Sequence, residues 1–385
     1  MKKRICAAAL LLIFAAALCS CNSLNIIELN DRLIIQAIGI DKTSDGYEVS
    51  IQGLDTEMHG GGSENGKTGS ITKNFLFSGK NISEALAEIH SKTGLSPLYS
   101  QARIIIMGMS AAEENIGDAL DFFLREYTTR SDIFIVVAEN SAKELVCASF
   151  GENVVGATVM EEAVKSGKYT GRAVAVPLYK FVNFMLSDTD AAYCSVIKAA
   201  DGILSENKEI EICGTAIFKD TKLRCILNSE QTQGLLFLTD KIEETKISVN
   251  TDAGNFGLQI VESRTKIKTR FNGRPEYSFE VKAVCDIIEY KNSSFNQISA
   301  QQTHDVAAAA AKKINEIMSD ALSYAFYSNS SDICRFGKRL WFNAPQEYRK
   351  LKEPSDFSAL SVMSEITVNA QIRKIGKEIL QFEKS

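Results

Sequence analysis

Through the first half of the chain, short runs of aliphatic and β-branched residues alternate with segments of helical period. That alternation excludes both an all-helical bundle and an all-β sandwich. Residues 33–40 read as a strand, Asp45-Gly46 turns the chain, and Tyr47, Val49 and Ile51 alternate with polar neighbours, which predicts a β-hairpin. A Gly-rich polar loop, 56–70, precedes another strand at 71–77. Asn81 with Glu84 three residues on is a capping-box pattern, and Ile82, Ala85, Leu86 and Ile89 follow at helical spacing until Gly94. Strands at 103–107 and 133–137 alternate with a helix carrying Ile116, Leu120, Phe123 and Leu124, and with one capped by Ser141 and Glu144 that carries Leu145 and Val146. Residues 151–176 show little periodicity. Pro177 is predicted as the first residue of a helix with Leu178, Phe181 and Met185 on one face.

The second half has a different pattern. Strands at 193–199, 209–218 and 223–227 include a hairpin loop at Lys219-Asp220-Thr221-Lys222, and 230–239 reads as a short helix or turn. Long alternating strands, 258–271 and 277–290, precede the longest helical run, 301–326, where Ile314, Ile317, Met318, Ala321 and Ala325 form one apolar stripe. A last strand is expected at 361–372. The expected fold class is α+β, with mixed and antiparallel sheets and packed helices. The expected division is an N-terminal α/β domain at 21–200, a β-rich middle segment at 201–245, and a C-terminal α+β domain with the long helix at 246–385.

The first 20 residues stand apart. Lys2, Lys3 and Arg4 precede a short apolar stretch that ends at Leu18-Cys19-Ser20-Cys21. This is the layout of a secretory signal peptide, and the stretch is shorter than the roughly 20 residues a membrane span needs. Leu-x-Ser-Cys resembles a bacterial lipobox, which implies that Cys21 is acylated and becomes the first residue of the mature protein. The body would then be exported and held at a membrane face, because two acyl chains anchor stably where one does not. The net charge is −5, and the leader holds three of the basic residues, so the body is more acidic still. Overall charge therefore argues against nucleic acid as a partner and against electrostatic attraction to an anionic membrane. Cys147, Cys194, Cys213, Cys225, Cys285 and Cys334 are sparse, lie mostly within apolar patterns and contain no C-x-x-C pair. They read as small buried hydrophobes rather than as a disulfide framework.

No catalytic, cofactor-binding or metal-binding set emerges. Gly61 to Thr68 satisfies the phosphate-binding pattern G-x-x-x-x-G-K-[ST], with Lys67 and Thr68 at its end. That chemistry needs a strand directly before the loop and a helix directly after it. Here the sequence that follows reads as a strand, so a solvated loop is the expectation. Asp41-x-Thr43-x-Asp45-Gly46 partly resembles a calcium loop but has Gln52 where the bidentate acid belongs, and a hairpin turn accounts for it better. His59, His90 and His304 each lack a His or Cys at ligand spacing. Glu113-Glu114, Glu161-Glu162 and Glu243-Glu244 read as solvated helix faces. No G-x-S-x-G or H-E-x-x-H occurs.

Several stretches together resemble the Ger(x)C family, the lipid-anchored C subunits of spore germinant receptors. They are Glu28-Leu29-Asn30-Asp31, Ile38-Gly39-Ile40-Asp41-Lys42, Ser100 to Gly108, Asp118 to Arg125, Gly214 to Lys219, Gly234 to Leu238 and Ser331 to Gly337. They follow the family's order across nearly the whole chain. The departures are Asn22-Ser23-Leu24 in place of a usual Trp-Asp, Gln101 in place of a frequent histidine, and Cys225 in place of a frequent glycine. The resemblance implies three mixed α/β domains and a non-enzymatic subunit with no cofactor. It also implies assembly with two integral membrane subunits, A and B, on the outer face of the spore inner membrane. The competing expectation is a solute-binding lipoprotein of a transporter.

Overall fold

The apolar run at 33–40 is continuous rather than alternating, so the strand it forms has to be covered on both faces. The computed structural model, which describes residues 27–55, 71–203, 205–291, 298–350 and 362–376, meets that requirement. Strand β1 (Arg32–Thr43) pairs antiparallel with β2 (Gly46–Leu54), with Thr43 opposite Gly46, and β2 pairs with β3 (Thr72–Gly79). Helix α1 (Ile82–Thr93) starts where the Asn81 side chain accepts the Glu84 amide at 2.8 Å, and it stops at Gly94, where φ is 72°. Next come β4 (Ser96–Leu98), β5 (Ile104–Met107), α2 (Met109–Glu114), α3 (Ile116–Arg125), β6 (Phe134–Ala138) and α4 (Ala142–Cys147). Helices α5 (Gly156–Lys165), α6 (Gly167–Thr170) and α7 (Leu178–Met185) lead to β7 (Ala192–Asp201).

β1, β5, β6 and β7 run parallel in the middle of one sheet, ordered β3-β2-β1-β5-β6-β7-β8-β9, with β4 beside β1. β8 (Lys208–Lys219) and β9 (Lys222–Leu227) return antiparallel at the edge. The strands of the 201–245 segment therefore complete the large sheet. After α8 (Ser229–Leu238) the chain builds a second sheet, β10 (Thr245–Thr251), β11 (Gly254–Phe271), β12 (Pro275–Lys291) and β13 (Met363–Ile375), in which β12 and β13 are parallel. Helix α9 (Ala300–Leu322) lies on this sheet and is followed by a π-turn (Ser323–Ser328), α10 (Phe336–Asn343) and α11 (Pro345–Tyr348). The fold is α+β, as expected.

The whole predicted stripe is buried, Ile314, Ile317, Met318 and Ala321 in α9 and Ala325 in the π-turn that follows it. Each large aliphatic side chain in such a stripe contributes about 1.5–3 kcal/mol. α9 packs on α8 at Gly234, where a Cβ would come within 2.3 Å of the Ile317 carbonyl oxygen. One apolar cluster continues from the large sheet through α8 and α9 into the small sheet. A second fills the other face of β1, β5 and β6, beneath α4 and α5.

Some sequence readings need correction. Residues 151–176 contain α5 and α6. Gly156 and Gly167 open these helices: a Cβ at Gly167 would come within 2.0 Å of the Ala173 carbonyl oxygen, and one at Gly156 within 3.1 Å of Phe150. The buried face of α5 reads poorly in the sequence because Glu161 stands in it beside Ala157, Met160 and Val164. Pro177 is the residue before α7 rather than its first. Glu161 is buried within α5 instead of solvated, and Glu243 and Glu244 lie outside any helix. The last strand begins at Met363; Ser361 lies outside the described residues, as do the leader, Cys21, His59 and the loop 56–70 with its Gly61 to Thr68 motif.

Candidate functional site

Where the two sheets meet, the chain gathers ionisable groups out of the solvent. The segment 187–191 enters β7 beside the loop 331–335 that precedes α10: Asp190 bridges to Asp332, and the Ala191 amide donates to the Asp332 carbonyl at 3.0 Å. The buried Asp190 carboxylate accepts Arg335 Nε at 3.0 Å. Arg335 has φ 61°, and its guanidinium lies 5.5 Å from the Phe184 ring centre. Phe184 stacks on Tyr193, whose hydroxyl accepts Lys241 Nζ at 2.6 Å. On the far side, Tyr277 of β12 donates its hydroxyl to the Phe336 carbonyl at 2.7 Å. The joint thus ties α7 and β7 of the large sheet to β12 of the small one.

Burial dominates its electrostatics. The Asp332 carboxylate accepts the Cys334 amide at 3.2 Å and the Gly337 amide at 3.0 Å, closing the first turn of α10. Those bonds favour the ionised form, but burial outweighs them and, with Asp190 nearby, lifts Asp332 to about 7. Burial, and then Arg335, pulls Lys241 down to about 8. Burial pushes Tyr193 up to about 12.

Lys241 also borders a cleft of about 510 Å³ beside the joint, with Lys165, Lys168, Asp240, Glu243 and Arg264 at its rim. Ala173, Val174, Ala175, Leu236 and Ile242 form its apolar wall. Most rim charges are already used. Lys165 holds Glu161 at 2.6 Å, Lys168 holds Glu243 at 3.3 Å, and Asp240 accepts the Thr265 amide at 2.8 Å. The cleft offers three amines and no serine, cysteine or histidine, so no hydroxyl or thiol nucleophile is paired with a base there. Among the described residues no group of three His, Cys, Asp or Glu side chains gathers to hold a metal. All six described cysteines are unpaired, four of them buried, with Cys147 exposed and Cys213 partly so. Burial raises every one of these thiols, Cys225 and Cys285 to about 11, so none is a thiolate at neutral pH.

The stretches singled out in the sequence turn out to be packing and capping positions. The partial calcium pattern resolves this way: Asp41 accepts the amides of Ala142 at 2.8 Å and Lys143 at 2.9 Å, together with the Ser141 hydroxyl at 3.0 Å. A carboxylate at the N-terminus of α4 meets the positive end of the helix, and Gly108 leaves room for it. Arg103 binds Glu161 at 2.8 Å and Gln36 at 3.2 Å, tying β5 to α5 and β1. Thr215 and Thr232 share a buried hydrogen bond of 2.9 Å. His90 and His304 stand exposed and apart. The Asp190–Asp332–Arg335 joint is not legible in the sequence because Asp190 lies more than 140 residues before the other two, although Ser331 to Gly337 carries a signal in the family-like pattern.

Comparison with known proteins covers both halves. Residues 25–199 match the family described as the spore germination protein N-terminal domain, and 213–376 match the C-terminal family described as spore germination B3/GerAC like. The chain is 25% identical over 386 residues to spore germination protein KC of Bacillus subtilis (strain 168), covering 91% of each. It is 24% identical over 255 residues to spore germination protein A3 of the same organism, covering 65% of this chain and 64% of that one. The crystal structure of the GerBC protein superposes with a TM-score of 0.58 at 17% identity, covering 90% of this chain and 99% of that one.

Proposed function

The chain belongs to the Ger(x)C family of spore germination proteins, and on that ground we propose that it is a lipid-anchored, non-enzymatic subunit of a nutrient germinant receptor. The observation that carries the reading is the match of both family domains, in order, across 25–376. The body is tethered through acylated Cys21 and assembles with two integral membrane subunits, A and B, on the outer face of the spore inner membrane. The cleft and the joint are consistent with a structural role, since Lys165, Lys168 and Arg335 are each held by a carboxylate, of Glu161, Glu243 and Asp190. No helix among the described residues is long and apolar enough to cross a membrane.

Affinity purification of the tagged chain from solubilised spore membranes tests the assembly. Recovery of two multi-span proteins in fixed proportion is expected. Recovery of an ATP-binding cassette instead would replace this reading with a transporter's solute-binding lipoprotein.

A further inference from the structure

One end of the large sheet exposes apolar side chains that folding does not explain. β1, β5, β6 and β7 are parallel, so their N-terminal ends lie on one side of the sheet; with Ile40, Met107, Val137 and Val196 level in the register, β1 starts about four residues further out than β7. The described chain enters at this end through Ile27 and Leu29, the latter 62% exposed, directly before β1. Leu186, 75% exposed, stands at the same end, just ahead of β7. α10 and α11 sit against that entry: Gly337 abuts Thr189, and Asp188 and Asp190, after burial, raise the Tyr348 hydroxyl. The outward face of α10 then presents Lys338, Trp341 and Phe342 at i, i+3 and i+4, while Phe336, Gly337 and Leu340 are buried beneath. Trp341 is 49% and Phe342 65% exposed, and their rings pack edge to face. A helix that buries one apolar stripe and leaves two large aromatics in water has a second apolar environment to meet.

We propose that this end of the sheet rests on the lipid bilayer, with Trp341 and Phe342 in its interfacial layer; the inference rests on the anchoring reading above. Aromatic rings favour that layer because one side is apolar and the other wet. Charge agrees locally and reverses the overall balance of the chain. Residues 335–350 carry five basic side chains against one acidic, in a protein whose net charge is −5. Glu347 is held by Lys350 and Asp190 by Arg335, which leaves Lys338 and Arg349 for anionic headgroups and Asp188 as the exposed acid opposing them. The tether fits as well. About four strand spacings across the sheet, because the segment around Val174 lies between β6 and β7, and the stagger of about four residues along it put the entry to β1 roughly 23 Å from the entry to β7. An acyl anchor six residues before Ile27 therefore brings this end, rather than the opposite one, to the membrane.

Trp341 is the sole tryptophan in the sequence, so it reports without labelling. The acylated full chain is reconstituted into phosphatidylcholine–phosphatidylglycerol vesicles with brominated acyl chains, and acylation of Cys21 is scored in parallel by metabolic labelling. The expected result is blue-shifted Trp341 emission whose quenching grows with the bromolipid fraction. Lys338→Gln with Arg349→Gln, both at exposed positions, should weaken docking about 25-fold, roughly fivefold per charge removed, and Leu186→Asp should reduce quenching. A labelled chain that floats with vesicles yet shows water-like, unquenched emission would overturn the docking face alone and leave it to a protein partner. An unlabelled chain would overturn the anchoring reading and the docking with it.

Discussion

Replacing Asp332 by asparagine isolates one buried ionisation. In the native joint the carboxylate lies at about 7, against 3.8 for a free aspartate, and burial is the main cause. The folded state therefore binds a proton that the unfolded state has released anywhere between pH 4 and 7, so stability falls as pH rises through that window. Each pH unit across that window is worth about 1.4 kcal/mol, which sets a ceiling of about 4 kcal/mol for the whole interval. Asparagine keeps the shape and one acceptor for the Cys334 and Gly337 amides but does not titrate. The orphaned Gly337 amide then costs about 1–3 kcal/mol at every pH. Urea unfolding of both proteins at half-unit steps from pH 4 to 8 separates the constant from the slope. The difference between native and Asp332→Asn stability should move steadily in favour of asparagine up to about pH 7 and then level off. A pH-independent difference, or one moving the other way, would show that the backbone donors outweigh burial and that Asp332 is an ordinary ionised cap.

Lys241 gives the opposite sign. Its folded value of about 8 lies below the 10.5 of a free lysine, so stability should rise by up to about 3 kcal/mol between pH 8 and 10.5 in the native protein and stay flat in Lys241→Met, as read by urea midpoints. Gly234→Ala should cost about 1–3 kcal/mol by forcing α8 away from the Ile317 carbonyl, measurable as a lowered unfolding midpoint. Cys21→Ala should abolish metabolic lipid labelling, and continued labelling would place the acyl group elsewhere.

Elements were readable in the sequence where local signals agree. Asn81 with Glu84, Gly94 and the run from Ile82 to Ile89 all point to one helix, and α1 has those ends. The stripe from Ile314 to Ala325 likewise names the buried face of α9 and of the π-turn after it. The signal failed where packing replaced it. In α5 the buried face of Ala157, Met160 and Val164 also holds Glu161, which breaks the apolar period. Glu161 likewise looks like any surface acid until Arg103, directly before β5, stands beside it. The candidate joint was legible only as a segment worth attention. The Asp190–Arg335 bond spans 145 positions, and nothing in the local pattern of either residue names the other.

Deletion of the gene tests the proposed role in sensing nutrients most directly. Spores lacking the chain are scored for germination against a panel of amino acids, sugars and nucleosides, with the native gene restored as control. Loss of response to at least one nutrient class, recovered on restoration, is the predicted result; an unchanged response to every nutrient the parent spores recognise would contradict it.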